Sequence, residues 1–297
     1  MQITPHLITL LSQGFNAAFI KAIESVPATW PQIAMQINSQ SNAENYGWVK
    51  DLPGMREWIG QRVVNNLEST TAVLQNRKWE HTIGLKADDI EDDRIGIYSN
   101  IIQQQAEIAA RHPDDLVWAL LRAGFTTPGF DGQPFFDADH AGFDKAGKEI
   151  SWSNVQTGTG NAWYAFDLSR SYLKPLIFQL RKPATFTRKT NAEDDHVFLN
   201  GEYLYGVEAR YNAGFGFHQL AYASTNELSA ANWEAAKIAL STQYRPDGSA
   251  LGVRATHLVV GSTNEGRART LLESTQINGS DNIWKGSAQL LVSPYLD

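Results

Sequence analysis

YGWVKDLPGMREWIGQRVVNNLESTTAVLQNRKWEHTIGLKADDIEDDRIGIY, residues 46–98, contains no nucleophile–base pair, no phosphate loop and no metal box. It reads as a long projecting β-arm. An aromatic and charged clamp holds one end and an acidic run holds the other. In its return strand Val73, Arg77, Trp79, Ile83 and Leu85 share one face, and Asn76, Lys78, Glu80 and Thr82 share the other. One side is thus thoroughly polar, as expected of a ribbon lying on something rather than of a central core strand. A two-stranded ribbon is only marginally stable alone, so the arm is expected to grip neighbours.

The rest of the chain bounds the class. With 297 residues it can build two lobes, each with its own core. Its 42% hydrophobic and 19% charged residues are those of a soluble globular protein. A net charge of −7 argues against bulk attraction to nucleic acid. There is no cysteine, which excludes disulfides and thiolate chemistry. The first residues, MQITPHLITLLSQGF, lack the cationic start of a signal peptide, and no apolar run is long enough to cross a bilayer. Synthesis and use in a cytoplasm are expected.

Upstream of the arm, Thr4 can cap a helix and Pro5 suits its first turn. Leu7, Leu10, Leu11, Phe15, Ala18, Phe19, Ala22, Ile23 and Val26 lie on one face of it, and Pro27 and Pro31 end it. Its polar face (Gln13, Asn16, Glu24) is not basic, which favours a docking helix over a membrane-surface one. NSQSNAEN, 38–45, reads as a polar linker. Downstream, a helix is expected from about Gly96 to Arg111, interrupted at Pro113, with a short second helix from Asp114 to Ala123. Residues 124–161 read as loops. The second half predicts strands at 162–168, 175–180, 196–211 and 214–223, then a helix capped by Ser229 over 230–241. A buried strand at 256–260, a helix at 265–274 and a last strand at 288–293 complete a sheet covered by helices.

Candidate chemistry is sparse. In DGQPFFDADHAGFD, Asp137 and Asp139 would point the same way near His140. Counted as a calcium loop from Asp137, position five is Ala141 and position twelve is Lys148, so the acid that completes such a site is missing. A solvated loop with Asx turns is the simpler reading. ADDIEDDR, 87–94, packs five acids into six positions without a calcium spacing. It reads as an acidic surface for a neighbour's Arg or Lys, or as a cap for the next helix. GTGN (158–161) and NAGFGF (212–217) lack dinucleotide spacing and mark close backbone packing. LPGMREWIGQR offers Met55, Trp58 and Ile59 as apolar anchors beside Arg56, Glu57 and Arg62, the mixture that interface centres use, although a core turn has the same composition. The subunit-interface candidates are Met55, Arg56, Glu57, Trp58, Arg62, Arg77, Trp79, Asp92, Asp93 and Arg94. No catalytic residue, cofactor or metal is expected.

LPGMREWIGQR (52–62), KADDIEDDRIGIY (86–98), DGQPFFDADH (131–140), PLIFQLRK (175–182) and YGVEARYNAGFGFHQLAYAS (205–224) together resemble the major head (capsid) subunit of Mu-like phages and prophages. LGVRATHLVV (251–260) and LVSPYL (291–296) add weaker matches, in order along nearly the whole chain. The resemblance implies an α+β tailed-phage major capsid fold (Hong Kong 97-like). Its parts would be an N-terminal arm and helix at 1–45 and an extended β-hairpin loop with its clamp at 46–95. A peripheral lobe with a spine helix would occupy 96–160, and an axial lobe 161–297, with a C-terminal return to the peripheral lobe. GSTNEGRAR (261–269) departs from the family by lacking an expected proline, which puts one loop in question.

What the resemblance implies is mechanical: self-assembly into pentamers and hexamers of an icosahedral head around double-stranded DNA, without sequence-specific binding. Scaffold protein, portal and maturation protease would be partners, no membrane would be involved, and the virion capsid would be assembled in the bacterial host cytoplasm. Trp79 would be buried on an adjacent subunit. An encapsulin-like compartment enclosing protein cargo is the alternative of the same fold. A metal-dependent hydrolase using Asp137, Asp139 and His140 is the alternative of another class.

Overall fold

The computed structural model describes residues 3–49, 69–92, 95–277 and 279–297. Helix α1 (Pro5–Ser25) starts as its residues dictate: the Thr4 side chain accepts from the Leu7 amide at 3.2 Å, and Pro5 occupies the first turn. It buries Ile8, Ser12, Phe15 and Phe19, while Leu10 stays half exposed. The helix thus docks on its own chain, with its inward stripe centred on Phe15. No described helix is long and apolar enough to cross a membrane.

Strand β1 (Ala34–Asn38) leads to β2 (Ala43–Val49), so half of the stretch read as a linker is strand. β2 pairs antiparallel with β3 (Ser69–Gln75) in a separate two-stranded ribbon. After a break at Asn76 the chain continues as β4 (Arg77–Lys86), which leaves the arm and joins the main sheet. The alternation of β4 is as read, with Leu85 fully buried and Trp79 and Ile83 partly so. The boundary is not: the return strand from Arg77 is an edge of the core sheet. The acidic run forms α2 (Ala87–Glu91), with Asp88 and Asp89 in its first turn and Ile90 fully buried.

Helix α3 (Ile95–Arg122) runs through Pro113 without the expected break. Proline costs about 3 kcal/mol inside a helix. Here both halves are held by packing: Ile102 and Ala106 before it, and Val117, Trp118 and Leu121 after it, are buried. Asp114, 2% exposed, also accepts from the Thr29 amide and hydroxyl, each at 2.9 Å. Burial of this size outweighs the propensity loss.

Residues 124–161 are more ordered than a loop reading allows. They contain the hairpin of β5 (His140–Phe143) and β6 (Glu149–Trp152), then the short β7 (Val155–Gln156). β8 (Trp163–Phe166) is buried on both faces, Tyr164 and Phe166 to one side and Trp163 and Ala165 to the other. β9 (Leu176–Lys189) is longer than expected. Then comes a correction: HVFLN is not strand but α4 (Asp195–Asn200), closed by Gly201 at φ 59°, whose amide donates to the Val197 carbonyl at 2.9 Å. Phe198 and Leu199 face outward, 81% and 76% exposed, so their apolarity misleads a strand reading. Gly201→Ala is expected to cost about 1 kcal/mol in unfolding free energy, since alanine is strained at positive φ; denaturant melting checks it.

β10 (Glu202–Phe215) follows, then β11 (Ala221–Ser224) and α5 (Ala230–Ser241), capped by Ser229 onto the Asn232 amide as expected. β12 (His257–Val260) runs into α6 (Ser262–Glu273), so the segment lacking the expected proline is a helix rather than a loop. The Asp297 carboxylate accepts from the Ser262 and Thr263 amides at its start, at 2.7 and 3.0 Å. The small β13 (Gln276–Ile277) and β14 (Ser280–Asp281) and the last strand β15 (Gln289–Val292) complete the chain.

The strands make two main sheets, β1-β9-β10-β4 and β15-β12-β8-β11-β7. Three clusters hold them. One joins both sheets to the second half of α3 through Trp118, Tyr164, Phe166, Phe178, Tyr211 and Phe215. The next fills the space between the five-stranded sheet, α5 and α6 around Trp163, Trp233 and Leu258. The last sets Phe15 and Phe19 of α1 and Ile102 of α3 against Tyr205 and Val207. Between the first and last clusters the β9–β10 ladder shifts register twice, between Glu208 and Arg210 and between Arg210 and Tyr211. The extra residues lie in β9 around Arg181 to Ala184, where Pro183 has no amide to give a ladder.

Candidate assembly surface at the root of the arm

The β2–β3 ribbon leaves the body in register from Ala43↔Gln75 to Val49↔Ser69. Its root is a polar knot built from the stretch that reads as a plain linker. The Glu44 Oε1 atom accepts from the Ser39 hydroxyl at 2.8 Å, the Gln40 amide at 2.8 Å, and the Ser41 amide at 3.1 Å. The Ser39 hydroxyl and then those amides hold the Glu44 carboxyl down at about 2. Asn76, at the break between β3 and β4, donates its side-chain amide to the Ser39 hydroxyl at 2.8 Å and the Ser41 carbonyl at 2.9 Å. Both chains of the ribbon are therefore tied at one point.

The knot is fastened to the four-stranded sheet. The Ser39 amide donates to the Leu180 carbonyl at 2.8 Å, and Arg181 donates to the Ser39 carbonyl at 3.2 Å. Arg210 reaches the Asn42 side chain. Gln179 and Asn212 donate to the carbonyls of Leu74 and Gln75, at 3.1 and 2.8 Å. Leu74 lies on Gly214, where a Cβ would come within 2.9 Å of it. The expected close approach at NAGFGF is thus between the sheet and the arm. Beside the root lies a groove of about 780 Å³, lined by Leu74, Leu116, Leu120, Phe130, Ile177 and Phe215 among others.

Trp79, expected against an adjacent subunit, makes these contacts within its own chain: its indole packs 4.3 Å from His112 and 6.2 Å from Tyr211, and Nε1 donates to the Tyr211 carbonyl at 3.0 Å. The apolar face of β4 has a partner already, helix α3. Arg77 is exposed, paired in register with Tyr211. Asp92 is an exposed helix end whose amide donates to the Asp88 carbonyl at 2.9 Å. Met55, Arg56, Glu57, Trp58, Arg62, Asp93 and Arg94 lie outside the described residues.

The proposed hydrolase set does not come together. Asp137 Oδ1 accepts from the next amide at 2.5 Å, and Asp139 accepts from Gln133 at 3.1 Å. His140 turns instead to Asp131, at 2.7 Å.

The family described as "Mu-like prophage major head subunit gpT" matches residues 8–296. The chain belongs to the Mu-like major head subunit family. It is 36% identical to the major capsid protein of Escherichia phage Mu over the full length of both. It is 38% identical to the major head subunit of the Mu-like prophage FluMu of Haemophilus influenzae, covering 91% of this chain and 90% of that one. The subunit in the procapsid of bacteriophage JBD30 superposes with a TM-score of 0.85 at 40% identity, over 99% of this head subunit and 100% of that chain. The fold is therefore the α+β tailed-phage capsid fold. This head subunit is a structural major capsid protein of the virion, not an enzyme, and the hydrolase alternative falls. Glu44, Ser39, Asn76 and Arg181 are the residues a sequence reading passes over. Their one signal is the density of Ser, Asn and Glu just ahead of the strand.

Proposed function

We propose that copies of this subunit grip one another through the arm and close, as pentamers and hexamers, into an icosahedral head around double-stranded DNA. The observation that supports this reading is an arm tied firmly at its root whose described part is a two-stranded ribbon. Such a ribbon gains its remaining stability from a surface that covers it. The candidates for that contact are Met55, Arg56, Glu57, Trp58, Arg62, Arg77, Asp92, Asp93 and Arg94, of which Arg77 adjoins the root at Asn76. Trp79 contributes indirectly, by holding β4 in place. The net charge of −7 suits a lining that packs DNA without binding it tightly. Scaffold, portal and maturation protease are the partners proposed from the family, and the host cytoplasm is the proposed place of assembly.

Expression with the scaffold, followed by sedimentation and electron microscopy, tests this. Closed shells are expected, and a subunit that stays monomeric under every condition overturns the reading. Particles enclosing a specific protein and no nucleic acid during infection would favour the encapsulin-like alternative instead.

A further inference from the structure

Three side chains from separate segments meet in the loop lobe. Asp131 lies in the turn between Pro128 and Pro134, His140 opens β5, and His218 precedes β11. One ligand atom from each lies within 4.8 Å of the others. The Asp131 Oδ2 atom is 2.7 Å from His140 Nδ1 and 3.6 Å from His218 Nδ1. Four-coordinate zinc, with bonds of about 2.0–2.2 Å, sets its ligands roughly 3.3 Å apart, between these two spacings.

In one tautomer of His140 the hydrogen bonding leaves a positive charge wanting. His140 is fully buried, and its Nε2 faces the Phe135 carbonyl at 3.3 Å. An N–H there leaves a lone pair on Nδ1 pointing at a carboxylate. A metal-bound histidine commonly shows this pattern, its far nitrogen donating to a backbone carbonyl. His218 is 3% exposed, and neither of its ring nitrogens has a hydrogen-bond partner. A buried imidazole left this way is costly unless something takes its lone pair.

We propose that Asp131, His140 and His218 form a structural site for a divalent first-row transition ion, zinc being the plainest choice. Two imidazoles and one carboxylate suit zinc and are poor ligands for calcium or magnesium, which want oxygen. The carboxylate side chain, 23% exposed, opens the site to solvent and to a fourth ligand. The two rings stack 3.9 Å apart at 8°, with Phe130 against the far face of His218. Binding through both Nδ1 atoms therefore requires one ring to tilt out of the stack. The bound ion would pin the 126–154 segment to the five-stranded sheet.

Chelator-treated subunit titrated with Zn²⁺ tests this by calorimetry and thermal melting, and with Co²⁺ by visible absorption. One ion per chain, a raised melting temperature and the intense d–d bands of four- or five-coordinate cobalt are expected. Asp131→Asn and His218→Gln should each weaken binding by more than about tenfold. The absence of saturable binding, a cobalt spectrum like that of the aqueous ion, or unchanged affinity in both variants would overturn the site. If a variant fails to fold, the stoichiometry and cobalt spectrum of the unaltered protein decide.

Discussion

Trp79→Ala is expected to lower the unfolding free energy of the dissociated subunit by about 3 kcal/mol, a drop of roughly 5–10 °C in melting temperature. The indole packs against His112 and Tyr211 and is partly buried. Truncation also removes the donor to the Tyr211 carbonyl. His112 and Tyr211 are themselves joined, Nδ1 to hydroxyl at 2.8 Å, so the loss loosens the contact between β4, β10 and α3 together. Shell yield should fall with it, as a consequence of the weakened fold. Arg77→Ala, two residues away and exposed, should leave the melting temperature nearly unchanged, within about 0.5 kcal/mol. A Trp79→Ala subunit that melts normally but does not assemble would show that the indole serves another chain.

Glu44→Ala should do the opposite: leave melting of the body almost intact and cut shell formation by at least about tenfold, because an arm in the competent orientation one time in ten weakens each contact by that factor. The carboxylate is the one acceptor on which Ser39, Gln40 and Ser41 converge. It lies at the surface, so its worth is in orientation rather than in global stability. Sedimentation of assembly reactions beside thermal melting separates the two effects. Equal loss in both would mean that the knot is part of the core.

The same carboxylate makes the root acid-sensitive. Its value is lowered in the fold, from 4.5 to about 2. Its contribution is therefore complete above about pH 4.5 and is lost as the pH falls toward 2. Pepsin, which works in that range, should cut the arm progressively faster relative to the body as the pH is lowered. Glu44→Gln, which cannot ionise, should show no such step. An identical pH profile in the two proteins would place the sensitivity elsewhere.

Much of the fold is legible because local rules and packing agree. Thr4 and Ser229 cap their helices, and β8 reads as a strand and β12 as a buried one. Where they disagree, packing wins: α3 passes Pro113, and Phe198 and Leu199 sit outside on a helix. The Asn200–Gly201 pair, with Gly201 at positive φ, is the sequence signal of a helix end there. The arm is recognisable, but its boundary is not, since β4 alternates equally well as ribbon or as sheet edge. The root is hidden for a different reason. Glu44 acts only once Ser39 and Asn76, from the two sides of the arm, have been brought together. Asp131, His140 and His218 are likewise united only by the fold.

The doubled register shift in β9 has a mechanical consequence. Two surplus residues on one side of an antiparallel pair force that side to be longer, so the curvature of this long ladder is concentrated around residues 181–184. Arg181, inside that bend, is also one of the fasteners of the arm. The bow of the body and the heading of its outstretched limb are therefore set at the same hinge. In a closed shell, where every tile must match the tilt of the next, flattening the one turns the other.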